Sequence, residues 1–271
     1  MTTKTKLAAG AGALAVVIAI AAIFVVVTGK DDDTSTGAAP AAPSSTAAQP
    51  MENTGDNGFG NPTADMLGRK VMHPNNPAGQ ALAQTAPGPR TECDPGAPVT
   101  SPTGVMIQTT FDTPNLFSTS DGPTKVDGLI ARGYSHSPQG ASLAAYNIWQ
   151  RFQLGGDVAA AVLENQAVAD PEVMKRFEAE GMAETRASAE TRKVTPAPSA
   201  FRVLSCDPDF VVTEYATRYF GDENGPFPTE RWATFRFNMV WQDGDWKMQF
   251  LKGAASASVI DDLTGWTAWA F

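Results

Sequence analysis

The chain reads as an α+β protein: an N-terminal transmembrane helix, a disordered stalk, and a cone-like domain of about three helices packed on a curved antiparallel sheet. Three observations predict this class. Residues 7–28, "LAAGAGALAVVIAIAAIFVVVT", form an uninterrupted uncharged and mostly apolar run. The stretch after it is dominated by Gly, Ala, Pro, Ser and Thr. Beyond residue 101 the hydrophobic spacing is first helical, then changes after residue 200 to an alternation of period two.

The first element is the apolar run. A helix rising ~1.5 Å per residue crosses a ~30 Å hydrocarbon layer in about 20 residues, and 7–28 is long enough. Lys4 and Lys6 precede it; Asp31, Asp32 and Asp33 follow it, behind Lys30. The positive-inside rule then places the tail 1–6 in the cytoplasm and everything after the span outside, as a single-pass protein of the cell membrane. The lipid bilayer is thus an expected partner, through residues 7–28. A cleaved signal peptide is the competing reading, since small residues ("GAAPAAPSS") follow; its apolar region is normally about 7–15 residues, shorter than this one. Both readings export the remainder.

Charge and cysteine count narrow the partners. The formal net charge is −9, and both lysines of the tail lie before the span, so the exported part is more acidic still. That sign opposes binding to phosphate backbones or anionic headgroups, and no nucleic-acid partner is expected. Outside the membrane two cysteines, Cys93 and Cys206, are read most simply as a disulfide, with two unpaired thiols as the alternative. Two Cys and two scattered His are too few for a zinc site, and neither metal nor cofactor is expected.

The stalk is assigned to residues 29–100. "TGAAPAAPSSTAAQP" has nothing to bury. "ADMLGRKVM" (64–72) is the one segment there with apolar content, either a short docking helix or no element at all. Asp-Pro-Gly after Cys93 suggests a turn. The compact domain then spans 101–271, enough for one core.

Within it, "GVMIQTTF" is a strand, and Asp121-Gly122-Pro123 and Asp127-Gly128 are turns. Ser137 followed by Pro138 is a helix start: the hydroxyl accepts an orphan amide, and proline has no amide to leave unpaired. Leu143, Tyr146, Trp149 and Phe152 recur at i+3 with Ala144, Ala145 and Ile148 beside them, and Arg151 is the one charge, so this helix is expected to be buried on most sides. Gly155-Gly156 ends it. Asp157 and Asp170 are the expected N-caps of two further helices, the second with Pro171 and Glu172 in its first turn. "ASAETRKVTPAPS" is a polar connection with a frayed helical start. The strands follow: "AFRVLSCD", then "FVVTEYATRYF" and "ERWATFRFNMVWQ", each with one apolar face, a hairpin turn at Asp243-Gly244, and "DWKMQF" with Trp246, Met248 and Phe250 on one side. "LTGWTAWAF" is too apolar for a free tail and packs back.

The chemistry-bearing residues are sparse. His136 sits among serines in "GYSHSPQG", where Ser137 is most economically the cap; nothing in the spacing supplies a triad, and no catalytic residue is assigned. "CDPD" (206–209) and "DGD" (243–245) lack the further ligands of a calcium loop. A pocket in the domain would draw on Tyr146, Glu214, Tyr215, Tyr219 and Asn238; the blander reading makes the tyrosines core or cross-strand pairs and Glu214 an outward strand charge.

The order and lengths of these elements resemble the cone-shaped nuclear-transport-factor-2-like fold of the cystatin-like class. "DGPTKVDGLIARGYSHSPQGASLAAYNIW", "DGDWKMQF" and "LTGWTAWAF" resemble a family of actinobacterial single-pass membrane proteins, some of them from conjugative or integrative elements. The likeness covers 101–271. That family is similar in layout to the bitopic assembly factors of type IV secretion machines, in which a domain of this fold is a protein–protein module. The long stalk with a cysteine at its end departs from that layout. The resemblance implies a non-enzymatic extracytoplasmic interaction module, accessory to a conjugation or secretion apparatus, with other envelope proteins or a second copy as partners. A ligand-binding or enzymatic domain is the alternative.

Overall fold

The computed structural model describes residues 57–86, 94, 98–179, 188–250 and 256–271. A small sheet takes β1 (Thr63–Ala64), β2 (Lys70–Met72), β3 (Met106–Thr110) and β4 (Thr113–Phe117) in that order, with β2 parallel to β3. A hairpin of β5 (Lys125–Asp127) and β6 (Ile130–Arg132) follows. Then come α1 (Pro138–Phe152), α2 (Gly156–Asn165), β7 (Ala167–Ala169), α3 (Pro171–Ala179) and α4 (Ala189–Val194). The main sheet is built from β8 (Ala200–Asp207), β9 (Phe210–Asp222), β10 (Gly225–Gln242), β11 (Asp245–Phe250), β12 (Ser256–Ile260) and β13 (Thr267–Ala268). Its order is β13-β8-β9-β10-β11-β7, and β12 shares the edge of the long β10 with β11.

The expectation of about three helices on one curved sheet is corrected: strands dominate, four helices lie among the described residues, and α1 packs between two sheets. The reason lies in α1 itself. Twelve of its fifteen residues are buried, among them Asn147 and Arg151, which bond to Leu116 and Asn115 of β4, so one covering layer would not suffice. It rests on β9 and β11 with one side and on β4 with the other. Leu143, Tyr146, Ile148 and Phe152 are all buried. Part of the covering sheet comes from the expected stalk, where β1 and β2 lie within 63–72. Asp65 closes the turn between them, accepting from the Leu67 and Arg69 amides at 2.9 Å each, and Arg69 donates onward to the Ala197 and Pro198 carbonyls.

The main sheet follows the alternation of its sequence. Val211, Thr213, Tyr215, Thr217 and Tyr219 of β9 are buried, as are Ala233, Phe237 and Met239 of β10 and Trp246, Met248 and Phe250 of β11. Asp243 and Gly244 both have positive φ (56° and 79°), the two-residue hairpin turn that suits the twist of the flanking strands. The C-terminal segment does pack back: β13 pairs with β8, and the Trp269 ring stacks on Phe201 at 4.2 Å.

Helix starts differ from expectation at one place. Ser137 caps α1, accepting from the Gly140 amide at 3.0 Å with Pro138 in the first turn, and at Gly140 a Cβ would collide with the Ser135 carbonyl. Asp170 accepts from the Glu172 amide at 2.8 Å ahead of α3. Asp157, however, is no cap. Gly155 takes that position at φ 70°, open to glycine, which shifts the helix start upstream and leaves Asp157 in the first turn, where it complements the dipole. The segment 189–194, expected as a polar connection, is α4, capped by Ser188.

The membrane assignment is also corrected. No helix among the described residues is long and apolar enough to cross a membrane; α1, at 15 residues, falls short of the about 20 that a bilayer requires. Residues 7–28 and most of the stalk lie outside the described residues. Single-pass anchoring, and the extracytoplasmic placement that followed from it, are therefore not supported. The described residues likewise contain no complete disulfide pair: Cys206 is not a free thiol, but its expected partner Cys93 lies outside them.

Candidate functional site

The residues expected to line one pocket do not gather in one. The Tyr146 hydroxyl donates to the Pro114 carbonyl at 2.8 Å, and its ring meets Tyr215 edge-on at 5.1 Å. Tyr215 stacks on Phe237 at 5.3 Å, and Tyr219 meets Phe227 edge-on. Burial pushes the Tyr146 and Tyr215 hydroxyls well above the ordinary phenol range, as desolvation penalises the phenolate. These rings are packed core. Glu214 and Asn238 lie on the opposite face of the sheet, in register with Arg236 and Val212. The difference is one of parity along β9 and β10: a one-residue step reverses the face.

His136 is not a catalytic base for a neighbouring serine. Its ring stacks on Trp241 at 4.1 Å and 10°, and Nε2 lies 2.6 Å from the Pro208 carbonyl and 3.0 Å from Asp209. It ties the β8–β9 turn to the β10–β11 hairpin. The serines beside it turn to Asp121, a buried carboxylate that accepts from Ser120 at 2.6 Å, from Ser137 at 3.0 Å and from Ser135. This network sits at the N-terminus of α1, where an anion is favoured. Among the described residues no group of three or more His, Cys, Asp or Glu side chains is placed to hold a metal.

Two constructed places remain. The first is the outer face of the main sheet. Arg202, Glu214 and Arg236 stand in one cross-strand row on β8, β9 and β10. Glu214 is only 4% exposed and accepts from Arg202 Nε and Arg236 Nε at 2.7 Å each, with Arg202 Nη2 at 2.6 Å. The Arg202 guanidinium lies over Trp266, 4.4 Å from the ring centre. Past a row of small residues, Ala200, Ala216 and Thr234, comes Arg218, which lies over Trp232 (5.3 Å) and Phe220 (5.7 Å) and pairs with Glu230 at 3.3 Å. Arg218 Nη1 has no hydrogen-bond partner. Planar guanidiniums on aromatic faces lose little freedom when they bind.

The second is a cavity of about 230 Å³ where the end of β6, the end of α2 and the β10–β11 hairpin meet. Its walls include Arg132, Gln166, Asp245, Trp246 and Lys247. Sequence reading singled out none of these for binding. Asp245 was legible only as a turn residue, and nothing local in the chain marks Arg132 or Gln166.

Both surfaces, and the fold from the end of β2 to β13, fall within the region that the family model matches. Residues 72–268, well over half the chain, match the model described as "Domain of unknown function (DUF8175)", and the chain belongs to that family. No curated protein and no solved structure matches the chain.

Proposed function

We propose that this chain is a non-enzymatic protein-binding module, and that the outer face of the main sheet is its binding surface. The observation that carries the reading is the row Arg202–Glu214–Arg236 with Trp266, flanked by Arg218 on Trp232. Arginine and tryptophan are the residues in which interface energy concentrates. Three arginines share this face with the buried carboxylate of Glu214 and the exposed one of Glu230, in a chain whose net charge is −9. The local excess of positive charge fits a partner that presents carboxylates. A role as accessory or assembly component of a conjugation or secretion apparatus rests on the resemblance of "DGPTKVDGLIARGYSHSPQGASLAAYNIW" and "LTGWTAWAF" alone.

The test compares affinity capture by the wild-type chain with capture by Arg218→Ala and Trp232→Ala, each verified as folded by circular dichroism. Both positions are partly exposed, so the fold should survive. The reading requires a defined protein recovered by the wild type and lost by both variants. It fails if both variants retain the same partner, or if the purified chain turns over a substrate.

A further inference from the structure

We infer that the partner of this module is an extended acidic segment, which adds to the main sheet as a further strand along the edge of β12. The inference rests on the outer-face reading above and names the partner's chemistry and its mode of attachment. β11 and β12 both pair with the same edge of β10 and so lie in one lane of the sheet. The next lane is filled beside β11 by β7; beside β12 no strand among the described residues fills it. Every second residue of β12 therefore turns an N–H and a C=O outward with no strand to meet them, the template on which a peptide adds to a sheet. Proteins ordinarily blunt such an edge with lysine, proline or a bulge. β12, Ser-Ala-Ser-Val-Ile, has neither residue, its register with β10 is unbroken, and Ser256, Ser258 and Val259 are exposed. Two other edges are guarded. On β4 the Asn147 side chain takes both the amide and the carbonyl of Leu116, and β5 carries the charges of Lys125 and Asp127.

Charge and side-chain direction select the occupant. On the outer face Ser256 stands beside Arg236, continuing the row Arg202–Glu214–Arg236, and Ile260 stands beside Trp232. Arg236 hydrogen-bonds to Glu214 through Nε, which leaves its Nη groups available on a side chain that is 42% exposed. A residue opposite Ser256 on an added strand lies two lanes, about 10 Å, from Arg236. An arginine and a glutamate cover that span together, and the serine between them is too short to obstruct it. A carboxylate there pairs with the open end of the guanidinium. On the other face Val259 is 42% exposed, although its cross-strand neighbour Ala233 is core. An apolar residue opposite Val259 covers it. The segment that fits thus alternates carboxylate and apolar side chains over the five residues that β12 offers. A second copy of β12 fits less well, because antiparallel pairing about Ser258 sets Ile260, not a carboxylate, opposite Ser256.

The experiment titrates the full chain, by calorimetry and amide NMR, with the peptide acetyl-Val-Glu-Val-Glu-Val-amide, its lysine-for-glutamate counterpart, and two N-methylated forms, one methylated at the valines and one at the glutamates. Saturable binding of the acidic peptide is expected, with amide shifts at Ala257–Ile260 and affinity at least about tenfold above that of the lysine peptide. Alternate amides of an extended chain face opposite edges and only one set pairs with β12, so one methylated form should bind about tenfold more weakly than the other. Ser256→Asp sets a competing carboxylate beside Arg236 at an exposed position where the fold survives, and should weaken the acidic peptide by about tenfold, as should Arg236→Gln. The inference is overturned if the acidic peptide does not bind, if both methylated forms bind as tightly as the parent, or if the wild-type chain is a dimer in sedimentation that Ser256→Asp dissociates, which makes a second copy the occupant. The outer-face reading fails on a different result, the retention of partner by Arg218→Ala and Trp232→Ala, whose positions lie on β9 and β10.

Discussion

Replacing Glu214 separates a structured arginine row from scattered surface charge. Its carboxylate takes three charge-assisted contacts, from Arg202 Nε and Nη2 and from Arg236 Nε, all at 2.6–2.7 Å. Such hydrogen bonds contribute about 1.5–3 kcal/mol each when buried. Glu214 is buried, but the Arg202 and Arg236 side chains are 36% and 42% exposed, so water recovers much of each arginine's loss. Discounted to about 1 kcal/mol per contact, Glu214→Ala should cost about 3 kcal/mol, between the values for surface pairs and for fully buried ones. In a domain of this size that lowers the melting temperature by about 6–12 °C. Glu214→Gln, which keeps one acceptor oxygen, should lose about half as much. Urea denaturation of the two variants and of Arg236→Ala measures this, and the double variant Glu214→Ala/Arg236→Ala should show coupling of at least about 0.5 kcal/mol. A Glu214→Ala loss below about 0.5 kcal/mol, the range of ordinary surface substitutions, would refute the reasoning.

Three further outcomes follow from the core. Asn147 accepts from the Leu116 amide at 3.0 Å and donates to the Leu116 carbonyl at 2.7 Å, so Asn147→Leu should lose about 2–6 kcal/mol in denaturant titration by leaving both groups unpaired. Arg151 is 0% exposed and donates to the Ala78 carbonyl at 2.8 Å; burial lowers its pKa, with Tyr134 acting in the opposite sense. Arg151→Ala should cost about 3–5 kcal/mol and Arg151→Met less, since methionine keeps the volume without a buried charge. Tyr134, Tyr146 and Tyr215 have raised pKa values, chiefly from desolvation. A raised folded pKa contributes stability that is fully present below the unfolded value near 10 and is lost as pH rises above it. Tyrosinate absorbance should therefore appear together with loss of near-ultraviolet circular dichroism above about pH 10, not before it.

Much of the fold was legible because its signals are local. The Ser137-Pro138 start, the Asp243-Gly244 turn and the alternation through 210–250 each follow from residues adjacent in the chain. The second sheet was not legible, because β2 pairs with β3 across a long intervening segment and its three residues carry no periodicity of their own. The single charge in α1, with apolar residues spread over more than one face, was the available clue that one covering layer was too few. The binding surfaces depended on register. Glu214 was read either as a pocket residue or as an outward strand charge, and that Arg202 and Arg236 stand beside it is fixed by the strand pairing. Tyr146 and Tyr215 share polarity with pocket residues and differ from them only in burial, which tertiary packing decides. Gln166 carries no signal at all, since its unpaired oxygen exists only after Ala131 has taken the amide.

The outer-face assignment is tested most directly by placing an aromatic photo-crosslinking amino acid, which keeps a ring at the site, at Trp232 or Asn238 in cells that make the protein, and at Lys125 on the exposed β5–β6 hairpin as comparison. The account predicts one defined protein adduct from Trp232 and Asn238 and none from Lys125. Adducts from Lys125 alone, or none from either sheet position, would contradict it.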